Sequence, residues 1–196
     1  MKNIVRYAIV GIVLATLVVA YYFYLTRHTG STSEEATQTQ QASEMVKVTT
    51  RDFSKDYPGT PREVVKWYNR IIKLYYDQGT TTEDLEKLTR QAQMLFDDEL
   101  LEYNPIEAYE AAVRVDVTSF ENHERYIVTT DVSDSLDVTY KKINGEEIAY
   151  VVAYYFLKDG SSYTSTYQKF ALRQDDDGNW KILGFELCDE DGDPIR

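Results

Sequence analysis

Residues 144–160 read NGEEIAYVVAYYFLKDG. A run of β-branched and aromatic side chains is closed at each end by a turn dipeptide, Asn144-Gly145 and Asp159-Gly160, which is how a strand between two hairpins is written. Asp177-Gly178 supplies a third turn further on. Together the turns predict strands near 135–143, 147–158, 162–174 and 179–188, with Tyr126 to Thr130 as an optional further one. Consecutive strands joined this tightly pair antiparallel.

Upstream of about Arg125 the period changes. Thr60-Pro61-Arg62-Glu63 offers a capping Thr, a Pro suited to the first helical position and a Glu to complete a capping box. Val64, Tyr68, Ile71, Ile72 and Tyr75 then share one helical stripe, widened by Val65, Trp67 and Leu74, until Gly79 ends the element. Thr80 to Glu83 repeats the capping pattern ahead of Leu85, Leu88, Ala92, Leu95 and Phe96. Asn104-Pro105-Ile106-Glu107 gives a third start, although Val113, Val115 and Val117 also alternate as a strand would. Helices first and an antiparallel meander afterwards predict an α+β domain in which about three helices cover one face of a curved sheet of about four strands.

The amino-terminal end has a different composition. Between Arg6 and Arg27 lie twenty uncharged residues, YAIVGIVLATLVVAYYFYLT, and a helix over Tyr7 to Leu25 would span about 28 Å, the thickness of a bilayer core. The expectation is a transmembrane helix at residues 7 to 26. Val18-Val19-Ala20 would also suit signal-peptide cleavage, but Tyr21, Tyr22, Phe23 and Tyr24 prolong the apolar run and favour a retained anchor. Lys2 and Arg6 before the run, against Glu34 and Glu35 after it, place the N-terminus in the cytoplasm and the rest outside the cell membrane. Residues 28–43 are polar and cannot repay the entropy of ordering, while Met45 to Tyr57 fits either a short strand or a lead-in. The expected organisation is thus an anchor with a short tail over 1–27, a linker over 28–59, the folded domain over 60–188 and an acidic tail over 189–196.

The final hairpin, LRQDDDGNWKILGFEL at 172–187, carries an Asp-Gly-x-Trp-Lys-Ile pattern at Asp177 to Ile182. With the helical hairpin and third helix before it, the chain over about 60–188 resembles the NTF2-like, or cystatin-like cone, superfamily. DYPGTPREVVKWYNRI, FDDELLEYNP and KDGSSYTSTYQKFALR look more narrowly like a family of uncharacterised single-pass proteins from Gram-positive gut bacteria. The order of anchor, linker and domain is also similar to VirB8-type components of conjugative secretion systems. These resemblances imply a fold and an address. They imply no activity, because the NTF2-like fold hosts enzymes and assembly modules alike.

Composition excludes several functions. Twenty-one Lys and Arg against 33 Asp and Glu give a net charge of -12, which repels phosphate backbones and removes nucleic acid from the partners. A lone cysteine, Cys188, and two histidines leave no internal disulfide, no cysteine zinc site and no expected metal or cofactor. Asp175 to Asp177 and Asp189 to Asp193 lack the spacing of an EF-hand loop. His123 in Glu121-Asn122-His123-Glu124 reads as a surface histidine, and Asp116 and Asp137 have no sequence partner to mark them as catalytic acids. Trp180 reads as a core anchor of the last strand. If the cone holds a ligand cavity, Tyr68, Tyr75, Tyr154 and Tyr167 are the side chains expected to converge on it. With no catalytic constellation, the expected function is a membrane-tethered extracytoplasmic binding or assembly module, meeting another envelope protein or itself. The alternative is a small-molecule binding protein or enzyme using the cone cavity.

Overall fold

The computed structural model describes residues 39–195. The chain divides into two compact units, Met1–Val46 and Lys47–Arg196. Residues 39–49 are helical (α1), and the second unit holds α2 (Pro61–Tyr75), α3 (Thr82–Gln93), α4 (Asp98–Tyr103) and α5 (Ile106–Asn122). Five strands follow: β1 (Arg125–Val132), β2 (Thr139–Ile143), β3 (Glu146–Asp159), β4 (Ser162–Gln174) and β5 (Trp180–Cys188).

The helices start where side-chain oxygens can take up free N–H groups. Thr60 accepts from the Glu63 N–H with Pro61 behind it, while the Glu63 carboxylate accepts from the Gly59 N–H at 3.1 Å. The box at α3 sits one residue later than expected: Thr81 and Asp84 satisfy each other's backbone N–H groups, and Thr80 instead donates its hydroxyl to the Leu74 carbonyl, closing the end of α2 at 2.7 Å. On α5 Val113 and Val117 are buried whereas Val115 is 73% exposed. That is helical periodicity, and it decides against the alternating reading.

The sheet is antiparallel in the order β1-β3-β4-β5, with β2 pairing on β3 as well. β1 and β2 share one edge of β3, beside residues 153–159 and 146–150 respectively. Two irregularities break the ladder, one around Val128 on β1 and one around Leu183 on β5. Each adds a residue to one strand, which bends and twists it. α2 packs against β1, β3 and β5, and buried side chains of both layers form the core, among them Val64, Ile71 and Leu74 from the helix and Val151, Phe170, Leu172 and Ile182 from the sheet.

The architecture corrects the expected fold. The sheet has five strands rather than four, because Arg125–Val132 is a full strand, and the short helix α4 adds to the expected three. No helix among the described residues is long and apolar enough to cross a membrane; the run at 7–26, expected to do so, lies outside the described residues. The folded unit also begins earlier than residue 60. Val48 and Phe53 are buried, Phe53 sets its ring edge-on to Trp67 at 5.6 Å, and the Gln91 side-chain amide donates to the carbonyls of Thr49 and Arg51.

The acidic C-terminal end is built into the fold too. Asp189 accepts from the N–H groups of Asp191 and Asp193, Pro194 bridges back to Cys188, and Lys169 donates to the Gly192 carbonyl at 2.7 Å. Gly192 adopts φ +82° so close to Val152 that an added Cβ would lie 3.1 Å from it. Only glycine suits that position.

Candidate functional site

Alternation along β3 decides which tyrosines can meet. Val151, Ala153, Tyr155 and Leu157 are buried, so Tyr150, Val152, Tyr154 and Phe156 point to the opposite face. The four candidate tyrosines therefore do not converge. Tyr154 lies opposite Tyr167 in the ladder, their rings 5.3 Å apart, on the face away from α2. Tyr68 and Tyr75 lie inside, joined by Tyr109 of α5 and by Tyr155, the inward neighbour of the residue expected there.

Inside, the Tyr75 and Tyr109 hydroxyls are 3.4 Å apart, and the Tyr155 hydroxyl donates to Asn69 Oδ1 at 2.7 Å. Tyr68 packs its ring against Phe96 and Phe170 at 5.8 and 5.7 Å. Burial pushes all four phenols well above their usual ionisation range, so they remain neutral donors. Asn69 is the buried polar side chain that the hydrophobic pattern hid: it stands on the inner stripe of α2, its Nδ2 without a partner among the described residues. Aromatic rings thus pack together between α2, α5 and the sheet.

The other candidates sit outside this interior. His123 caps the end of α5, exposed, with Nδ1 2.7 Å from the Ser119 carbonyl. Asp116 accepts the Tyr76 hydroxyl on the surface of α5. Asp137 lies in the turn between β1 and β2, its N–H bonded to the Asp134 carbonyl. Trp180 is buried against Tyr140, and its carbonyl accepts from the Tyr57 hydroxyl at 2.9 Å. A buried carboxylate does exist, at Asp97, the cap of α4, but both its oxygens are held at 2.8 Å by the Arg173 guanidinium. Burial alone would raise its pKa, and the hydrogen bonds from Arg173 and the Glu99 N–H outweigh burial and lower it. Such a pair fastens α4 to the sheet and offers no free acid.

Two clefts stand out among the described residues. A cleft of about 390 Å³ opens where the ends of α2 and α5 meet β1, with Tyr75, Tyr76, Phe120 and Tyr126 as its aromatic wall and Arg125 and Lys158 on its strand side. Tyr76 stacks on Phe120 at 3.9 Å. A second cleft, of about 350 Å³, lies between residues 51–59 and α2 and is lined by Trp67, Arg51, Lys66 and Arg70. Among the described residues no group of three His, Cys, Asp or Glu is placed to hold a metal ion. In the first cleft the Tyr76 hydroxyl is the one held by the Asp116 carboxylate.

No curated protein matches the chain significantly. A family profile matches residues 1–185, nearly the whole sequence, and the chain belongs to that family, described as a domain of unknown function, DUF6715.

Proposed function

We propose that this protein is a binding or assembly module of the bacterial cell envelope, meeting its partner through its surface and not through an interior cavity. The observation that carries the proposal is the packed interior: Tyr68, Tyr75 and Tyr155 are buried between helices and sheet, with the half-buried Tyr109 set against Tyr75. Helices on one side of a bent antiparallel sheet support the NTF2-like resemblance, a fold on which such modules occur. Placement at the cell membrane, with the domain outside, is supported by the uncharged run at 7–26 and its flanking charges in the sequence alone. The partner is then another envelope protein or a second copy of this chain.

One observation favours a second reading, a small-molecule binder. The cleft beside Phe120 has a volume within the range of ligand pockets, about 300 to 1,000 Å³, and combines aromatic walls with two cations. Photo-crosslinking in intact cells, from probes placed at Tyr126 and at Lys66, separates the two. The module reading predicts a discrete protein adduct from at least one position. Absence of any protein adduct, together with a small molecule retained by the purified chain and lost on Phe120→Ala, overturns it.

A further inference from the structure

The cleft of about 390 Å³ beside Phe120 is unequally charged. Arg125, on its strand side, is held by Asp159 at 2.6 Å, and the Asp116 carboxylate accepts the Tyr76 hydroxyl. What remains in the lining is three carboxylates, Asp77, Glu121 and Glu124, against one ammonium, Lys158. None of these four stands in an ion pair among the described residues, and Lys158 lies instead over the Tyr126 ring at 5.5 Å. Glu121 and Glu124 are exposed and Asp77 is half-buried. α5 ends at the cleft with no basic residue in its last turn, so the partial negative charge of its carbonyl end adds to theirs.

Carboxylates around one concavity repel one another in the free protein, and a cationic partner relieves that repulsion. Three features narrow the partner's chemistry. The walls accept organic cations, since Phe120 already receives the Arg125 guanidinium at 5.3 Å and Tyr126 the Lys158 ammonium. A metal ion fits less well, because no group of three acids among the described residues is placed to hold one. The carboxylates also sit on two segments, Asp77 after α2 and Glu121 with Glu124 at the end of α5. A chain bearing several cations can meet all of them, where one compact amine meets one or two. The net charge of -12 steers such a chain toward this protein.

We propose that this cleft docks a basic polypeptide segment, one Lys or Arg side chain entering between the aromatic walls and its neighbours pairing with Asp77, Glu121 and Glu124. The proposal rests on the binding-module reading and names the surface and the partner class.

The test uses the full chain in a neutral detergent at about 150 mM salt and a short fluorescent oligolysine peptide, with oligoglutamate as the control. Oligolysine is expected to bind and oligoglutamate not. An acidic chain attracts cations over its whole surface, so matched variants locate the binding. Glu121→Gln combined with Glu124→Gln should lower affinity about tenfold. Glu102→Gln combined with Glu107→Gln, also exposed, should change it by less than about twofold, because Glu107 lies about 21 Å back along α5, beyond the screening length. Should the first pair disturb folding, Asp77→Asn alone decides, with an expected loss of about threefold. Lys158→Gln, which removes the competing ammonium, should raise affinity about twofold. Failure of oligolysine to bind overturns the proposal, as does equal loss from both pairs. So does an anionic occupant, seen as oligoglutamate binding that Lys158→Gln abolishes, or a free amine, seen as spermidine binding as tightly as oligolysine. A second copy of the chain as occupant, seen as self-association abolished by Glu121→Gln with Glu124→Gln, overturns it too. If peptide binding fails while cellular crosslinks to a protein persist, this inference falls and the module reading stands.

Discussion

The two faces of β3 carry similar side chains and meet different fates. Inward stand Ala149, Val151, Ala153, Tyr155 and Leu157; outward stand Tyr150, Val152, Tyr154, Phe156 and Lys158. The inner set is sealed under the helices, where Tyr155 reaches Asn69. The outer set is covered by its own neighbours. Phe156 stacks on Tyr163 at 5.3 Å, Tyr154 shares a hydrogen bond with Ser165 at 3.1 Å, and Lys141 and Lys169 lie over the Tyr150 ring. An aromatic strand does not by itself announce which face is core. Cover decides, and a shift of one residue exchanges the roles.

The sharpest way to break this contrast is to truncate each face in turn. Tyr155→Ala should destabilise the domain by about 3 to 5 kcal/mol, the cost of deleting a large buried ring, and Tyr154→Ala by no more than about 1.5 kcal/mol, the worth of a half-exposed aromatic pair. Denaturant unfolding of both variants checks this, and equal losses would erase the distinction.

Next in size comes the pair that ties α4 to the sheet. Arg173→Met leaves Asp97 buried without its cation; one-sided removal from a buried pair costs about 3 to 5 kcal/mol, and with Arg173 partly exposed about 2 to 3 is expected. The sign with pH follows from the lowered pKa of Asp97. Its contribution is present above the unfolded carboxylate value and is lost as pH falls through the folded one, so the gap between wild type and Arg173→Met should close in acid. Unfolding curves at neutral pH and below about pH 4 measure it.

Tyr155→Phe keeps the ring and removes only the hydroxyl, leaving Asn69 Oδ1 unsatisfied, at an expected cost of about 1 to 2 kcal/mol. Smallest of all, His123→Ala, at an exposed helix end, should stay within about 0.5 kcal/mol. A larger effect from His123 than from the Tyr155 hydroxyl would reverse the order of inside and outside.

Much of this fold was legible in residues 60–188. The Thr60 cap, the stripe from Val64 to Tyr75 and the three Gly turns are local signals, and local hydrogen bonding enforces them. What escaped the sequence depends on partners distant along the chain. Val48 and Phe53 look like linker residues until helices arrive to bury them. Arg125–Val132, legible only as an optional strand at Tyr126 to Thr130, is completed because β3 offers an edge, and its bulge at Val128 spoils the alternation that would announce it in full. The candidate cavity was half legible. Tyr68 and Tyr75 share a helix stripe, so their common interior could be read, but Tyr154 and Tyr155 are adjacent and only register separates them. Asn69 and Asp97 gave no signal, since a polar residue within a stripe or a helix cap reads as solvated.

Alkaline titration of the phenols by ultraviolet absorbance, followed alongside circular dichroism, tests the sealed interior most directly. Tyr68, Tyr75, Tyr109 and Tyr155 have raised pKa values, so their burial contributes stability that is intact below the free phenol value of about 10 and is lost as pH rises above it. The packed interior predicts that these four phenols ionise only as circular dichroism is lost. A single phase near the free phenol value, with every phenol ionising while the fold persists, would mean that water reaches the space between the helices and the sheet, and would contradict the account.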